Sequence, residues 1–559
     1  MRKISLSLVS LVAVAAIFYF WALGRADIVT DESSYATRAI GLVDFDFGIK
    51  QPTSWQLVKD VPWWMHLSFH DHPPFVFWIQ HYSIKLFGEN PFAIRVPSAL
   101  AGMAAVVFLY LIGRRLWSRE VGLAAAALFA LSVNHVWISR IGLQESILIA
   151  LMLGAVYFFL LGLERRKFLP VAGIFLGLAF LSKYISLILI PIFVAVLLIK
   201  GRRFIWDRKF YFLLFIFCFL VIASPVIIYN IQLYRTLGHF DFQFSLLFQQ
   251  RVPEWPSRPA QEALGSLAQR LKLFLPQLFK SNSPLFLALS LAGLGSILWE
   301  VKRGKANRHL PLLFAFAWII PFLIFIGPTT RFLTILTPWL ALAAGYLMVT
   351  IGQRLQKTHL RYLLFALLLS LEGFYAYSSV IAQDPIGRSP WTYSELRRES
   401  HTWGFNQLDQ YLNRILEGKM PEIAITFADY NFSRDLLQKS VAEGRAQGRQ
   451  PVPWGIVFDD NLNVSAQLWV FLRRLVYHGW PITDAQSFLN GGETFFRQSG
   501  VKKVFFITST KYTLRDRPRA PTPDADSIER SLRAKGARPT EIKTPAGDVT
   551  FRVYQFEFQ

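Results

Sequence analysis

Long apolar runs separated by short polar connections occupy the first two thirds of the chain. Eleven of these runs come close to the twenty or so residues with which an α-helix crosses a hydrocarbon core of roughly 30 Å. A helix also satisfies its own backbone hydrogen bonds in lipid, which an open strand cannot do. The pattern therefore predicts eleven transmembrane helices, near residues 4–23, 96–116, 119–137, 143–163, 168–182, 184–200, 209–230, 282–300, 309–327, 332–351 and 360–381.

The apolar pattern changes near residue 385. Beyond it the runs shorten to strand length, as in 422–427 and 501–507, a helical pattern covers 405–416, and the proline-rich segment 517–526 is typical of a loop. Short strands combined with helices indicate an α/β domain. We therefore predict a transmembrane domain over 1–384, with long extracytoplasmic loops at 24–95 and 231–281, and a soluble extracytoplasmic α/β domain over 385–559.

Basic residues indicate the orientation in the membrane. Lysine and arginine are concentrated in alternate connections, at 114–119, 164–167, 200–203, 302–305 and 354–361. Positive residues of short loops stay in the cytoplasm. The first apolar run has no convincing cleavage site after it and is predicted to be an uncleaved span, not a signal peptide. The N-terminus is then cytoplasmic, and an odd number of spans places the C-terminal domain outside the cytoplasmic (inner) membrane.

The composition agrees with a membrane protein, because 53% of the residues are hydrophobic and 17% are charged. The formal net charge of +22 does not indicate a nucleic-acid-binding protein, since much of the basic charge lies in the short connections. The remainder favours anionic lipid headgroups or a phosphate-bearing substrate. One cysteine, Cys218, excludes a disulfide within this chain and a thiolate metal cluster.

Two adjacent carboxylates, Asp31 and Glu32, follow the first apolar run closely. In a helix that begins there, Asp31 and Tyr35 would share a face, and both acids would stabilise the positive end of the helix. A carboxylate at the membrane boundary is also suited to act as general base on an acceptor hydroxyl or amine. Asp31 is therefore a candidate catalytic residue, and Glu32 and Tyr35 are candidate substrate-binding residues.

A second polar segment, His70-Asp71-His72, precedes an amphipathic stretch from Pro74 to Phe87 that is predicted to lie at the membrane interface. Histidine and aspartate are ordinary metal ligands. The spacing supplies no third or fourth ligand, so we predict no dedicated metal site here. His72 is instead a candidate hydrogen-bond donor to a phosphate or a carboxylate.

Four more charged residues map to the predicted outer ends of apolar runs, and these are Arg140, Glu145, Lys183 and Arg331. Ionisable side chains at membrane spans are functional candidates by default. The alternatives are a local Arg140–Glu145 pair, a helix-dipole contact, and simple snorkelling or anchoring by Lys183 and Arg331. Acids and bases together on one membrane face favour a catalytic site that binds phosphate.

These segments resemble the GT-C class of glycosyltransferases, in particular the bacterial protein-mannosyltransferase-like and aminoarabinose-transferase-like family. The resemblance covers roughly the first 350 residues and rests on the order of several short motifs. The motifs are Asp31-Glu32-Ser33-Ser34-Tyr35, Asp71-His72-Pro73-Pro74-Phe75, Leu86-Phe87-Gly88-Glu89-Asn90 with Arg95, Arg140 to Glu145, Gly177 to Tyr184, Ser224 to Asn230, Phe242-Gln243-Phe244 with Arg251, and Arg331-Phe332-Leu333 with Pro338.

The resemblance implies a polytopic helical membrane enzyme that transfers a sugar, with inversion, from a polyprenyl-phosphate donor at the outer membrane face. It implies that Asp31 is the catalytic base, that Glu145 is the second catalytic acid, and that His72, Lys183 and Arg331 bind the lipid phosphate. The acceptor would be a glycan, a glycolipid or a protein. Aminoarabinose transferases tend to carry lysine in place of His72, so the resemblance does not specify that sugar.

No cofactor is implied with certainty, although carboxylates at Asp31 and Glu145 leave a shared divalent metal ion open. Two other classes of protein agree with part of the pattern. A multi-pass transporter or flippase of a lipid-linked or anionic substrate would also contain many helices and charged residues within the membrane. A non-catalytic scaffold would use its exterior domain to bind polysaccharide or protein.

Overall fold

The computed structural model describes the chain except for residues 1–5, 29–30, 46–51, 254, 256–264, 401, 425–430, 463–466, 512–520 and 559, and it describes the backbone alone for 398–400. The chain divides into two compact units. The first comprises residues 1–23, 46–52 and 63–399, and the second comprises residues 24–45, 53–62 and 400–559.

Helices dominate the first two thirds of the chain. In chain order they are α1 (Leu6–Phe20), α2 (Asp31–Gly41), α3 (Ser54–Leu57), α4 (Phe75–Phe87), α5 (Pro91–Leu116), α6 (Arg119–Leu131), α7 (Val133–Ser139), α8 (Gln144–Glu164), α9 (Leu169–Ser182), α10 (Leu189–Lys200), α11 (Arg202–Trp206), α12 (Lys209–Leu237), α13 (Phe242–Leu247), α14 (Leu267–Ser281), α15 (Pro284–Lys302), α16 (Leu310–Ile326), α17 (Thr330–Leu333), α18 (Thr337–Arg354) and α19 (Thr358–Ala376). Helices α2 and α3 belong to the second unit, and the others belong to the first.

Helices are present at all the predicted spans, but their number as membrane spans is not confirmed. Among the described residues, five helices are long and apolar enough to cross a membrane, and six if the bent pair α6–α7 counts as one span. The pair bends by 64° after Leu131. Three shorter apolar helices cover Leu6–Phe20, Tyr184–Lys200 and Leu310–Ile326. Because some apolar runs contain bends or breaks, the eleven predicted runs cannot simply be counted as eleven membrane spans.

Small residues bring the helices of the first unit into close contact. A Cβ atom added to Gly293 on α15 would lie 2.1 Å from the carbonyl oxygen of Ala343 on α18. A Cβ atom on Gly345 of α18 would lie 2.5 Å from the backbone nitrogen of Ala125 on α6. Such contacts pack membrane helices by van der Waals interaction where water provides no driving force.

The C-terminal part of the second unit is an α/β domain, as predicted. Its helices are α20 (Phe405–Leu416), α21 (Asn431–Ala446), α22 (Arg473–His478), α23 (Ala485–Ser487), α24 (Glu493–Gln498) and α25 (Pro523–Ala534). Its strands are β1 (Lys419–Pro421), β2 (Gln450–Val452), β3 (Trp454–Phe458), β4 (Ile482–Asp484), β5 (Lys503–Ser509), β6 (Thr540–Lys543) and β7 (Val549–Glu557).

Strands β4, β3, β5, β7 and β6 form one five-stranded sheet in that order. Strand β3 pairs in parallel with β4 and β5, whereas β7 pairs antiparallel with β5 and β6. The register places Val457, Phe506 and Tyr554 side by side across three strands. All three are completely buried in one apolar core. The separate pair β1–β2 is parallel.

Four sequence predictions for this domain have different outcomes. The helix over 405–416 and the strand near 501–507 are confirmed by α20 and β5. The strand predicted over 422–427 is wrong for its described part, 422–424, because the pairing ends at Pro421. The loop predicted over 517–526 is wrong from Pro523 onward. There Thr522 caps the backbone nitrogen of Ala525, and Pro523 starts α25.

The segment after α1 belongs to the second unit because polar contacts fix it there. Both carboxylate oxygens of Asp27 accept backbone hydrogen bonds, from Trp403 at 2.6 Å and from Asn406 at 2.8 Å. The Asn406 amide donates to the carbonyl oxygens of residues 24, 25 and 26. Further along, Phe45 stacks on Phe432 with centroids 6.5 Å apart. The helix α2, which carries Asp31, is therefore part of the same compact unit as the α/β domain.

Asp409 in α20 holds two buried arginines of the α/β domain, and its loss is expected to destabilise the protein strongly. Its Oδ1 lies 2.9 Å from Arg473 Nη2 and 2.8 Å from Arg474 Nη2, and all three side chains are at most 5% exposed. Removing one partner of a buried ion pair costs about 3–5 kcal/mol. Thermal unfolding of the full chain in detergent should show this loss for Asp409→Ala.

The matched control for that measurement is Glu493→Ala. It removes the carboxylate of an exposed pair, Glu493–Arg497, in the same unit. An exposed pair contributes at most about 1 kcal/mol. Equal stability of the two variants would contradict the assignment of Asp409 as the partner that stabilises the buried arginines.

Candidate active site

Glu145, Lys183 and Arg331 meet in one cluster of the first unit. Glu145 Oε1 accepts hydrogen bonds from Lys183 Nζ at 2.6 Å and from Arg331 Nε at 2.8 Å. The Glu145 side chain is completely buried, whereas 14% of the Lys183 side chain and 20% of the Arg331 side chain are exposed. The structure thus brings together three candidate residues that are far apart in the sequence.

Each member of the cluster lies where a helix begins or ends. Glu145 is in the first turn of α8, whose N-cap Leu143 provides no side-chain hydrogen bond. The positive end of that helix favours an acid at this position. Lys183 follows α9 with an extended backbone, at φ −165° and ψ 134°. Arg331 is in the short helix α17, where Thr329 caps the backbone nitrogen of Phe332.

Within the cluster, two cationic side chains share one carboxylate oxygen. Burial of a carboxylate requires such partners, because an unpaired charge in a dry environment is very unfavourable. The Phe332 ring covers one side of the cations, with its centroid 4.8 Å from Lys183 Nζ and 5.9 Å from Arg331 Cζ. Both cations are partly exposed, and lysine and arginine side chains suit phosphate in particular.

Arg140 contacts the end of another helix. Its Nη1 donates to the carbonyl oxygens of Phe18 at 2.7 Å and of Tyr19 at 3.2 Å. These carbonyls belong to the last turn of α1, so the guanidinium satisfies backbone acceptors and stabilises the negative helix end. The contact matches the helix-dipole alternative named above. A role for Arg140 in binding phosphate stays a prediction.

His72 lies in the loop before α4. Its Nδ1 is 3.0 Å from Asp71 Oδ1, and 18% of its side chain is exposed. Pro74 occupies the N-cap of α4, which confirms that the two prolines lead into a helix over the predicted amphipathic stretch. The backbone nitrogen of Phe242 donates to the His70 carbonyl oxygen at 2.7 Å. This loop is therefore fixed against the segment around α13.

A buried network next to Lys183 is centred on Asp241, which was not singled out in the sequence, although its partners Tyr184 and Asn230 end two of the motifs quoted above. Asp241, the N-cap of α13, accepts hydrogen bonds from Phe244 N at 2.9 Å, from Tyr184 Oη at 2.6 Å and from Asn230 Nδ2 at 3.0 Å. Burial raises the pKa of the Asp241 carboxyl, and these donors act against the rise. The only sequence signals are an acid in an aromatic segment and an asparagine near the end of an apolar run.

Asp31, Glu32 and Tyr35 belong to α2 of the second unit, and a helix beginning at Asp31 is confirmed. Asp31 is exposed, whereas Glu32 and Tyr35 are buried. Both acids are in the first turn, where they stabilise the positive helix end. Their catalytic and binding roles stay predictions.

The chain, with its apolar helical unit and its α/β domain, is similar to GT-C glycosyltransferases of the mannosyl- and aminoarabinose-transferase-like type. Residues 71–229 match the family model described as dolichyl-phosphate-mannose-protein mannosyltransferase. The resemblance found in the sequence is thereby confirmed. A comparison with curated proteins found no match.

Two solved structures of ArnT share the fold of this chain. ArnT from Cupriavidus metallidurans in the apo state superposes with a TM-score of 0.52 at 16% identity, over 98% of this chain and 97% of that chain. The same protein bound to undecaprenyl phosphate gives 0.51 at 18% identity, with the same coverage. The Archaeoglobus fulgidus oligosaccharyltransferase in complex with Zn and sulfate gives 0.49 at 14% identity, over 98% and 72% of the chains.

Proposed function

We propose that this protein transfers a sugar, with inversion, from a polyprenyl-phosphate donor to an acceptor at the outer face of the cytoplasmic membrane. The observation that carries the proposal is the cluster of Glu145, Lys183 and Arg331, in which two cationic side chains meet one buried carboxylate. ArnT, which shares the fold, was solved with undecaprenyl phosphate bound. That ligand is what a polyprenyl-phosphate sugar becomes after transfer.

The charge of the cluster fits the chemistry of the leaving group. A polyprenyl-phosphate sugar is a phosphodiester with one negative charge. When the bond between the anomeric carbon and the phosphate oxygen breaks, the electron pair stays on that oxygen, and the phosphate becomes a monoester with nearly two charges. Lys183 and Arg331 therefore stabilise the departing group more than the intact donor, which is what accelerates a reaction.

Within the proposal, Asp31 is the general base. Its carboxylate takes the proton from the acceptor hydroxyl or amine as the acceptor attacks the anomeric carbon. The attack opposite the leaving phosphate inverts that carbon. Glu145 holds the two cations in place through Oε1, so its role is to position them as well as to balance their charge. His72 would contribute a further hydrogen bond to the phosphate.

The departure of the phosphate does not need a divalent metal ion bound to Glu145. Oε1 of that carboxylate already has two cationic partners within 2.8 Å, and these would repel a third cation. The residues of the cluster therefore fit an anion better than a metal.

The test uses purified protein in detergent with a set of polyprenyl-phosphate sugars and a crude envelope extract. Loss of each donor and the appearance of sugar on a new acceptor are followed by mass spectrometry. We expect one donor class to be consumed and polyprenyl phosphate to be released. Movement of an intact donor between liposome leaflets, without consumption, would instead identify a flippase.

A further inference from the structure

The buried network around Asp241 joins two segments of the proposed donor site. On one side it reaches Tyr184, the residue after Lys183, and on the other it reaches the loop that carries His72. We propose that Asp241 is a positioning residue that fixes the backbone at Lys183, so that Lys183 can hold both Glu145 and the donor phosphate. This inference rests on the proposed function.

The link to Lys183 follows from backbone geometry. The extended conformation of Lys183 makes its side chain and that of Tyr184 point to opposite sides of the chain. Lys183 Nζ reaches Glu145 on one side, while Tyr184 Oη reaches Asp241 on the other. A backbone held on both sides in this way cannot rotate without breaking one of two short hydrogen bonds.

The Tyr184 side chain is held along its whole length. Its ring centroid lies 4.9 Å from that of Phe180 in α9 and 4.9 Å from that of Phe244 in α13. Phe244 also donates its backbone N–H to Asp241 at 2.9 Å. The phenol is therefore enclosed by rings from the preceding helix and from α13, with its hydroxyl on the carboxylate.

Asp241 is fixed in turn by Asn230 at the end of α12. Asn230 Nδ2 donates to Asp241 Oδ2 at 3.0 Å, and Asn230 Oδ1 accepts from the Asp241 backbone nitrogen at 2.8 Å. Oδ2 therefore accepts two hydrogen bonds, from Tyr184 and Asn230. Oδ1 accepts the third, from Phe244 N, and an asparagine at position 241 cannot accept all three, because its NH₂ group replaces one of the two accepting oxygens.

The same segment holds the His72 loop. The residue after Asp241, Phe242, donates its backbone N–H to the His70 carbonyl oxygen at 2.7 Å, and Gln243 Nε2 donates to the Asp71 carbonyl oxygen at 3.4 Å. Asp241 thus connects the turn that carries Lys183 with the loop that carries His72. Both are candidate phosphate-binding segments, so one buried carboxylate sets their mutual arrangement.

The experiment compares Tyr184→Phe and Asp241→Asn in three backgrounds: wild type, Lys183→Gln and Arg115→Gln. Arg115 belongs to an ion pair with Glu164 elsewhere in the first unit and serves as the matched control. In the wild-type and Arg115→Gln backgrounds, we expect each variant to raise the donor KM about tenfold, with a smaller effect on kcat. In the Lys183→Gln background, we expect Tyr184→Phe to cause less than a twofold further change, whereas Asp241→Asn should keep the part of its effect that acts through the His72 loop.

A merely structural role would lower the active fraction equally in all three backgrounds and leave KM unchanged, and that result would overturn the proposal. Tyr82→Phe, which removes an exposed phenol, should change neither KM nor kcat.

Hydrogen exchange gives a readout that does not require activity. The amides of Asp241 and Phe244 should lose protection in Tyr184→Phe. If the wild-type protein consumes no donor but Tyr184→Phe loses this amide protection, the proposed function fails and the Asp241 network stands. Unchanged protection overturns the network itself.

Discussion

Replacing Asp31 with asparagine is expected to lower sugar transfer by about 10²–10⁴-fold, the range that general base catalysis contributes. Asparagine has the same shape but cannot take the acceptor proton. Asp31 is exposed at the start of α2. Initial rates with saturating donor measure the effect.

The control for Asp31→Asn is Asp435→Asn, an equal change of charge at an exposed position of α21 in the same unit. It should transfer sugar at the wild-type rate. Both variants should bind polyprenyl phosphate as wild type does, because the phosphate contacts are assigned to other residues. Transfer by Asp31→Asn at a rate near that of wild type would remove Asp31 as the base and direct attention to Glu32.

Glu145→Gln is the second variant with a large expected effect, a fall of kcat by about 10²–10³-fold. Glutamine removes the negative charge that lies within 2.8 Å of both cations. Lys183 and Arg331 then repel each other and lose the geometry that stabilises the departing phosphate. The substitution removes a negative charge beside both cations, so binding of polyprenyl phosphate should not weaken.

A fall in kcat with unchanged affinity for polyprenyl phosphate would show that Glu145 positions the cations. A variant that failed to fold would lose both. Glu164→Gln is the matched control, since Glu164 is at the other end of the same helix α8 and pairs with Arg115 at 2.6 Å. Its carboxylate is 70% exposed, so kcat should stay within about twofold of wild type. Parallel loss of kcat and of phosphate affinity in Glu145→Gln would contradict the assigned role.

The sequence predicted those parts of the fold that depend on local pattern. The apolar run predicted as a helix over 143–163 coincides with α8, and the helical pattern over 405–416 coincides with α20. The bend between α6 and α7 was not predicted, because the apolar run continues through it. A backbone turn inside an apolar run is decided by packing against neighbouring helices, which hydropathy does not contain.

The candidate site was likewise predicted only as far as local pattern and topology allow. A shared membrane face for Glu145, Lys183 and Arg331 was predicted from topology, but the contact of both cations with one carboxylate oxygen spans 38 and 186 residues of sequence. Arg140 was grouped with them by its position, yet its contacts are to carbonyls of α1. Asp241 was missed because neither its burial nor its partners can be derived from a single acid in a loop.

The most direct test of the central claim is the affinity of the detergent-solubilised protein for polyprenyl phosphate, measured by native mass spectrometry for wild type, Lys183→Gln, Arg331→Gln and Arg115→Gln. Each hydrogen bond to a charged group contributes about 1.5–3 kcal/mol, so the loss of Lys183 or Arg331 should weaken binding by about 10–150-fold. Arg115→Gln should bind as wild type does. Equal affinities for all four proteins would contradict the assignment of this cluster as the donor phosphate site.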